Sequence, residues 1–189
     1  MTAIIDYGER PAYLLYQLEK LGVDQKFTSV ESEILAADRI ILPDCSDIKK
    51  ALKRLHLLNL FSMLKMIQKP VLGIANGFSL MCENPHVPGT SGLAFFPLSL
   101  TLPLESPPLP GKYSAKLCNS MMFIEAEELE GLYFEKLFKP SSDEFNAAVI
   151  TGFNGIPAAY KKGNIMGVIF NPEYSGNAGN LILNSFLEI

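Results

Sequence analysis

The sequence predicts a single α/β domain spanning residues 1–189, a three-layer sandwich with a central, mostly parallel sheet and a small antiparallel extension. Two observations lead there. Short apolar runs alternate with amphipathic helical patterns up to about residue 83 without hairpin signals between them, as in strand–helix–strand crossovers with helices on both faces. The stretch 69–83 then passes from an apolar run, Val71-Leu72-Gly73-Ile74, to a helical pattern, Phe78-Ser79-Leu80-Met81-Cys82, across Ala75-Asn76-Gly77. That pattern is a strand, a sharp elbow and a helix. Gly73 and Gly77 flank the central residue because strained backbone angles and tight strand–helix contact leave no room there for side chains.

Taken in order, residues 3–8 form a buried-type strand that stops at Gly8. Pro11 opens a helix with Leu14, Leu15, Leu18 and Leu21 on one face, closed by Gly22. Residues 27–30 and 39–43 are the second and third strands. Apolar positions at helical spacing from 47 to 67 (Ile48, Leu52, Leu55, Leu60, Met63, Leu64, Ile67) predict two helices or one bent one. Residues 71–75 are the fourth strand. Ligands of such sheets bind beyond the carboxyl ends of the strands, so Asp6, residues 43–46 and Ala75 fall along one rim.

After Glu83 the texture changes. Pro85, Pro88, Pro97, Pro103, Pro107, Pro108 and Pro110 punctuate the segment. Residues 93–104 predict strands interrupted by Pro97 and Pro103, and 105–112 a loop. Residues 121–125, 132–138 and 147–152 read as further, antiparallel strands. Asn154-Gly155 marks a hairpin between 147–153 and 156–160. Residues 165–170 are the last strand, broken by Pro172, and Gly176 or Asn177 caps a closing helix through Leu183 and Phe186.

The chain has 16 basic and 20 acidic residues, a net charge of −4, with no basic stripe, which argues against nucleic acid or an anionic membrane as partner. Cys45, Cys82 and Cys118 are odd in number and lack metal-ligand spacing, so they read as reduced thiols; no metal site or cofactor is expected. There is no signal-peptide pattern and no apolar run of the ~18 residues a membrane span needs, so the expectation is a soluble, cytoplasmic protein.

Three segments in order, Ile4-Ile5-Asp6-Tyr7-Gly8, the elbow at 70–83, and Lys162-Gly163-Asn164-Ile165-Met166-Gly167-Val168-Ile169-Phe170-Asn171-Pro172-Glu173, resemble class I glutamine amidotransferases. The nearest type is the glutaminase subunit of imidazole glycerol phosphate synthase, from histidine biosynthesis. Residues 20–23, 34–38 and 184–187 also fit, whereas 84–145 fit poorly. The resemblance implies a flavodoxin-like core and a reaction in which a Cys thiolate attacks the side-chain amide of glutamine and releases ammonia. In such relatives a His moves the proton, a Glu orients the imidazole, and backbone N–H groups hold the oxyanion. The ammonia is then used in a partner (β/α) barrel synthase subunit.

Carried over residue by residue, the nucleophile position is Ala75, the base position is Asn171, and Glu173 alone keeps its type. The ligand-binding positions are Gly73, Asn76, Gly77, Ser79 and Cys45. Ser79 replaces a substrate-holding glutamine with a shorter side chain. The oxyanion loop reads Pro43-Asp44-Cys45-Ser46, and an Asp there should repel developing negative charge. Glu9-Arg10-Pro11 departs from the family's glycine-asparagine pattern, and residues 133–138 lack its histidine-serine-tyrosine. One engineered substitution at Ala75 leaves Asn171, Ser79 and Asp44 unexplained. Removing one member of such a triad typically costs ~10⁴-fold or more in rate. The expectation is therefore a glutaminase-like chain without glutaminase activity, acting by binding a partner, a small amide or an amino acid. The alternative is an active amidotransferase supplying ammonia to a synthase.

The plainer readings stand beside these. Cys82, seven residues beyond Ala75, lies roughly 10 Å along the helix and reads as apolar filler. Cys45 is at the rim, yet no histidine is placed to activate it. His56 reads as a surface residue and His86 as part of the Pro-rich segment. Glu173 has a structural reading of equal weight. Lys49, Lys50, Lys53 and Arg54 form a basic helical face, solvated by default.

Overall fold

All four residues of β1 (Thr2–Ile5) are buried, as are those of β4 (Val71–Ile74), because helices cover both faces of the sheet they occupy. The computed structural model describes residues 1–104, 107–118, 126–151 and 156–189. The expected strand at 121–125 and the Asn154-Gly155 turn lie outside the described residues.

Between these strands run α1 (Ala12–Lys20), β2 (Gln25–Thr28), α2 (Glu31–Ala36), β3 (Arg39–Leu42), α3 (Ile48–Leu57) and α4 (Leu60–Lys65). The elbow leads from β4 into α5 (Asn76–Met81), followed by β5 (Cys82–Asn84) and β6 (Phe96–Thr101). Then come β7 (Gly111–Leu117), β8 (Glu128–Phe134), β9 (Lys139–Pro140), β10 (Asn146–Ile150), β11 (Pro157–Lys162) and β12 (Ile165–Val168). A 3₁₀ turn (Pro172–Tyr174) and α6 (Gly176–Leu187) close the chain.

The fold class is the one the alternation predicts. The main sheet has the order β2-β1-β3-β4-β12-β11-β10-β7-β8, and β5, β6 and β9 form a second sheet. Strands β2, β1, β3, β4 and β12 run parallel, with Ile4 beside both Phe27 and Ile41 and Leu72 beside both Ile41 and Met166. From β12 outward the pairing turns antiparallel through β11, β10, β7 and β8. Connections leave β1 in both directions, so right-handed crossovers put helices on opposite faces. On one face α1 meets α6 through a Gln17–Asn180 hydrogen bond, and on the other α3 meets both α4 and α5.

Local departures have local causes. The helical pattern at 47–67 is two helices: Asp47 caps the first by accepting from Lys50 N–H at 3.1 Å, and Asn59 at φ 58° breaks the chain before the second. Pro97 does lie within a strand, β6, but its side chain is exposed and the paired positions fall on its neighbours. The expected loop at 105–112 ends sooner, since β7 starts at Gly111. The strand expected at 132–138 begins earlier and ends at Phe134.

The core is aromatic where the two halves of the sheet meet. Phe78 of α5 stacks on Tyr160 of β11 at 4.7 Å and meets the edge of Phe96 at 5.7 Å. Three glycines make that approach possible. A Cβ on Gly73 would lie 2.2 Å from Met81 Sδ, one on Gly167 2.1 Å from the Phe78 ring, and one on Gly77 2.0 Å from the Leu42 carbonyl oxygen.

The obstacle at Gly77 is backbone and cannot rotate away. Gly77→Ala should cost about 2–3 kcal/mol of stability, read as a lower urea midpoint at unchanged slope.

Candidate functional site

Four loops converge at the carboxyl ends of the parallel strands, as the rim rule requires. They follow β1 (residues 6–11), β3 (43–47), β4 (the elbow) and β12 (169–171), and residues 133–136 from the end of β8 join them.

Ala75 stands at the elbow with φ 48° and ψ −110°, a conformation that L residues rarely adopt. Its N–H donates to the Val168 carbonyl at 2.8 Å, and its carbonyl accepts from Ser79 N–H at 3.2 Å, so both ends of the strained peptide are pinned. What it carries is a methyl group.

The polar centre of the rim is Asp44. Its Oδ1 accepts from Asn76 N–H at 3.1 Å and from Cys45 N–H at 2.8 Å, while its Oδ2 accepts from Asn171 Nδ2 at 3.1 Å. Asn76 Nδ2 donates to the Cys45 carbonyl at 2.6 Å. Paired backbone donors of this kind make an anion-binding concavity. Sequence reasoning expected Asp44 to repel negative charge arriving there; in the fold its own carboxylate takes up the donors. Nearby, Glu9 clamps the same loop by accepting from both Ser46 N–H (2.9 Å) and Ser46 Oγ (2.6 Å), and Arg54 pairs with Asp6 at 3.0 Å.

A cavity of about 440 Å³ opens above this network, lined among others by Asp44, Cys45, Glu135, Lys136, Asn171 and Glu173. Cys45, Asn171 and Glu173 are thus brought together as the sequence suggested. Gly73, Ala75, Asn76 and Gly77 form the elbow beneath and do not line the cavity. Ser79 is fully buried, lies 3.0 Å from His86 Nδ1, and does not reach the cavity either. His86 stacks on Phe138 at 4.7 Å, and burial, with the Lys136 charge, pushes its pKa down.

Glu173 and Cys45 both have their pKa values pushed up. Burial, reinforced by the Asp44 and Glu135 carboxylates and opposed by hydrogen bonding to its own backbone and to Asn171, pushes the Glu173 carboxyl up to about 7. Burial and the neighbouring Asp44 and Glu9 carboxylates push the Cys45 thiol up to about 12. Among the described residues no cluster of three or more His, Cys, Asp or Glu is placed to hold a metal, and no helix is long and apolar enough to cross a membrane.

Sequence reasoning missed Glu9, Tyr133, Glu135 and Tyr174 as cavity residues. The signal was there in part. Glu9 and the stretch from Tyr133 stand where the chain departs from the motifs it otherwise resembles, and those departures cluster in space.

The fold and this rim define a class. A Thermoplasma acidophilum protein described as belonging to GMP synthase superposes with a TM-score of 0.74 at 20% identity, covering 99% of this chain and 92% of that one. A glutamine amidotransferase superposes with a TM-score of 0.77 at 11% identity, covering 99% and 97%. The architecture is that of the class I glutamine amidotransferases. In sequence, the imidazole glycerol phosphate synthase subunit HisH 1 of Vibrio vulnificus is 31% identical over 201 residues, covering 100% of this chain and 98% of the relative. The HisH subunit of Bacteroides fragilis is 30% identical over 179 residues, covering 92% and 91%. The chain belongs to the HisH family. No protein-family model matches it.

An unfolded glutamate releases its proton near 4.5, whereas folded Glu173 keeps it up to about 7. The folded state therefore binds more protons across that window, and Glu173 makes stability fall as pH rises from about 4.5 to about 7. Glu173→Gln should flatten that decline relative to the parent chain, read as the difference in melting temperature between pH 5 and pH 8.

Proposed function

We propose that this chain is a non-catalytic subunit of the amidotransferase type, which works by binding a partner or a small ligand rather than by hydrolysing glutamine. The observation that carries the reading is the elbow. A strained backbone that suits a nucleophile presents only the Ala75 methyl, and the N–H of the next residue is already given to Asp44.

The surrounding chemistry supports it. The Asn171 amide neither takes up a proton near pH 7 nor forms a cation, so it cannot serve as base. Cys45, with a pKa near 12, is thiolate in only about one molecule in 10⁵ at pH 7. The chain has two histidines; His56 stacks on Phe61, His86 is paired with Ser79, and neither lines the cavity.

The partner we favour is a (β/α) barrel synthase subunit docked at the rim. Its support is that relatives matching the whole chain are named as subunits of imidazole glycerol phosphate synthase. A small amide or amino acid in the cavity is the accompanying ligand. Activity in the cytoplasm on a histidine-biosynthetic synthase completes the reading.

Purified chain, alone and with a barrel synthase, should release ammonia from glutamine no faster than buffer does. Ala75→Cys alone should not restore it, since the base position and the Asp44-filled donors are unchanged. Release that depends on Cys45, lost in Cys45→Ser, would instead establish an active amidotransferase.

A further inference from the structure

Three donors at this rim are spent inside the protein. Asn76 N–H, Cys45 N–H and Asn171 Nδ2 all point at Asp44. Among the described residues that line the cavity, the buried side-chain atoms left unmet are acceptors. Asn171 is 2% exposed and lines the cavity; because its Nδ2 must face the Asp44 carboxylate, its Oδ1 is fixed on the other side, and it has no donor among the described residues. Glu173 Oε2, buried on the same wall, is also without a partner there, and so is Asn76 Oδ1 just below. Unpaired buried acceptors are costly and are met by a donor from outside the chain when one fits.

The charges around them agree. Glu9, Asp44, Glu135 and Glu173 line the cavity against Arg10 and Lys136. Arg10 lies over the Phe27 ring at 5.8 Å. Lys136 faces Cys45 and His86, whose pKa values it lowers. The Tyr133 and Tyr174 rings, which also line the cavity, sit 5.5 Å apart in an edge-to-face pair. Carboxylates beside aromatic rings and unpaired carbonyl oxygens form a receptor for cationic donors.

Resting on the non-catalytic reading of this site, we propose that the cavity binds a small organic cation, a primary ammonium or guanidinium, through Asn171 Oδ1 and the Glu173 and Glu135 carboxyls. Four carboxyl groups against two cations in the lining favour a positive ligand over an anion, and a neutral amide meets only part of what is unpaired. The Asp44 carboxylate thus fills the anion-binding concavity and leaves an acidic cavity above it. About 440 Å³ is room for a molecule the size of agmatine.

Calorimetric titration of the full chain at pH 8 and constant ionic strength, with agmatine, n-butylamine, sodium butyrate and glutamine as probes, tests this. Agmatine should bind, butyrate should bind at least tenfold more weakly, and glutamine should fall behind agmatine. Glu173→Gln should weaken agmatine about tenfold. Glu135→Gln, on the exposed rim where folding is not at stake, should weaken it several-fold. Binding of butyrate or glutamine as tight as agmatine, no agmatine binding at millimolar concentration, or indifference to both variants would each overturn the proposal. Ammonia release from glutamine is a separate readout: it would remove the non-catalytic reading, whereas loss of the charge preference alone removes only this inference.

Discussion

The Asp44 carboxylate accepts from the backbone of two loops and from the side chain of a third, and the arrangement of the rim depends on that one group. It joins the end of β3 to the elbow and to the segment after β12, three places far apart in sequence. A half-buried carboxylate is stabilised by such donors, since an ionised group taken from water without them is expensive. The donors in turn need an acceptor. Each side of the contact satisfies the other, beside an elbow at Ala75 that Val168 and Ser79 hold in its strained conformation.

That self-satisfaction sets the electrostatics of everything above. Burial, with the Asp44 and Glu135 carboxylates beside it, pushes the Glu173 carboxyl up to about 7, and burial with Asp44 pushes the Cys45 thiol up. A site built around a thiolate and an imidazolium would run the other way, with cations or dipoles lowering the thiol pKa. Here burial and like charge combine to push both groups toward their neutral forms. The non-catalytic reading rests on this pattern as much as on the missing sulfur.

Below the rim, packing does the positioning. Gly73, Gly77 and Gly167 let α5 sit against the sheet at distances no side chain tolerates, and Phe78 fills the gap by stacking on Tyr160. Membership of the HisH family and superposition on amidotransferase structures fit this scaffold. Fold is retained through such contacts while the chemistry of the exposed rim is free to change.

Much was legible in the residues alone. The alternation of apolar runs and helical patterns determined the parallel half of the sheet, and glycines around a single residue determined the elbow, because both signals are local and repeat at the period of the backbone. The break at Asn59, the strand at Gly111–Leu117 and the inclusion of Pro97 in β6 were not legible, since partners far along the chain override weak local preference there. At the site, Ala75, Asn171, Glu173, Cys45 and the oddity of Asp44 could be named from sequence. Only the tertiary structure decided that Asp44 turns its charge inward onto Asn76 and Cys45, that Ser79 faces His86 instead of the cavity, and that Glu9, Glu135 and Tyr174 gather above. Hydrogen bonds and fields act across space, and the loops that carry them meet only after the sheet has formed.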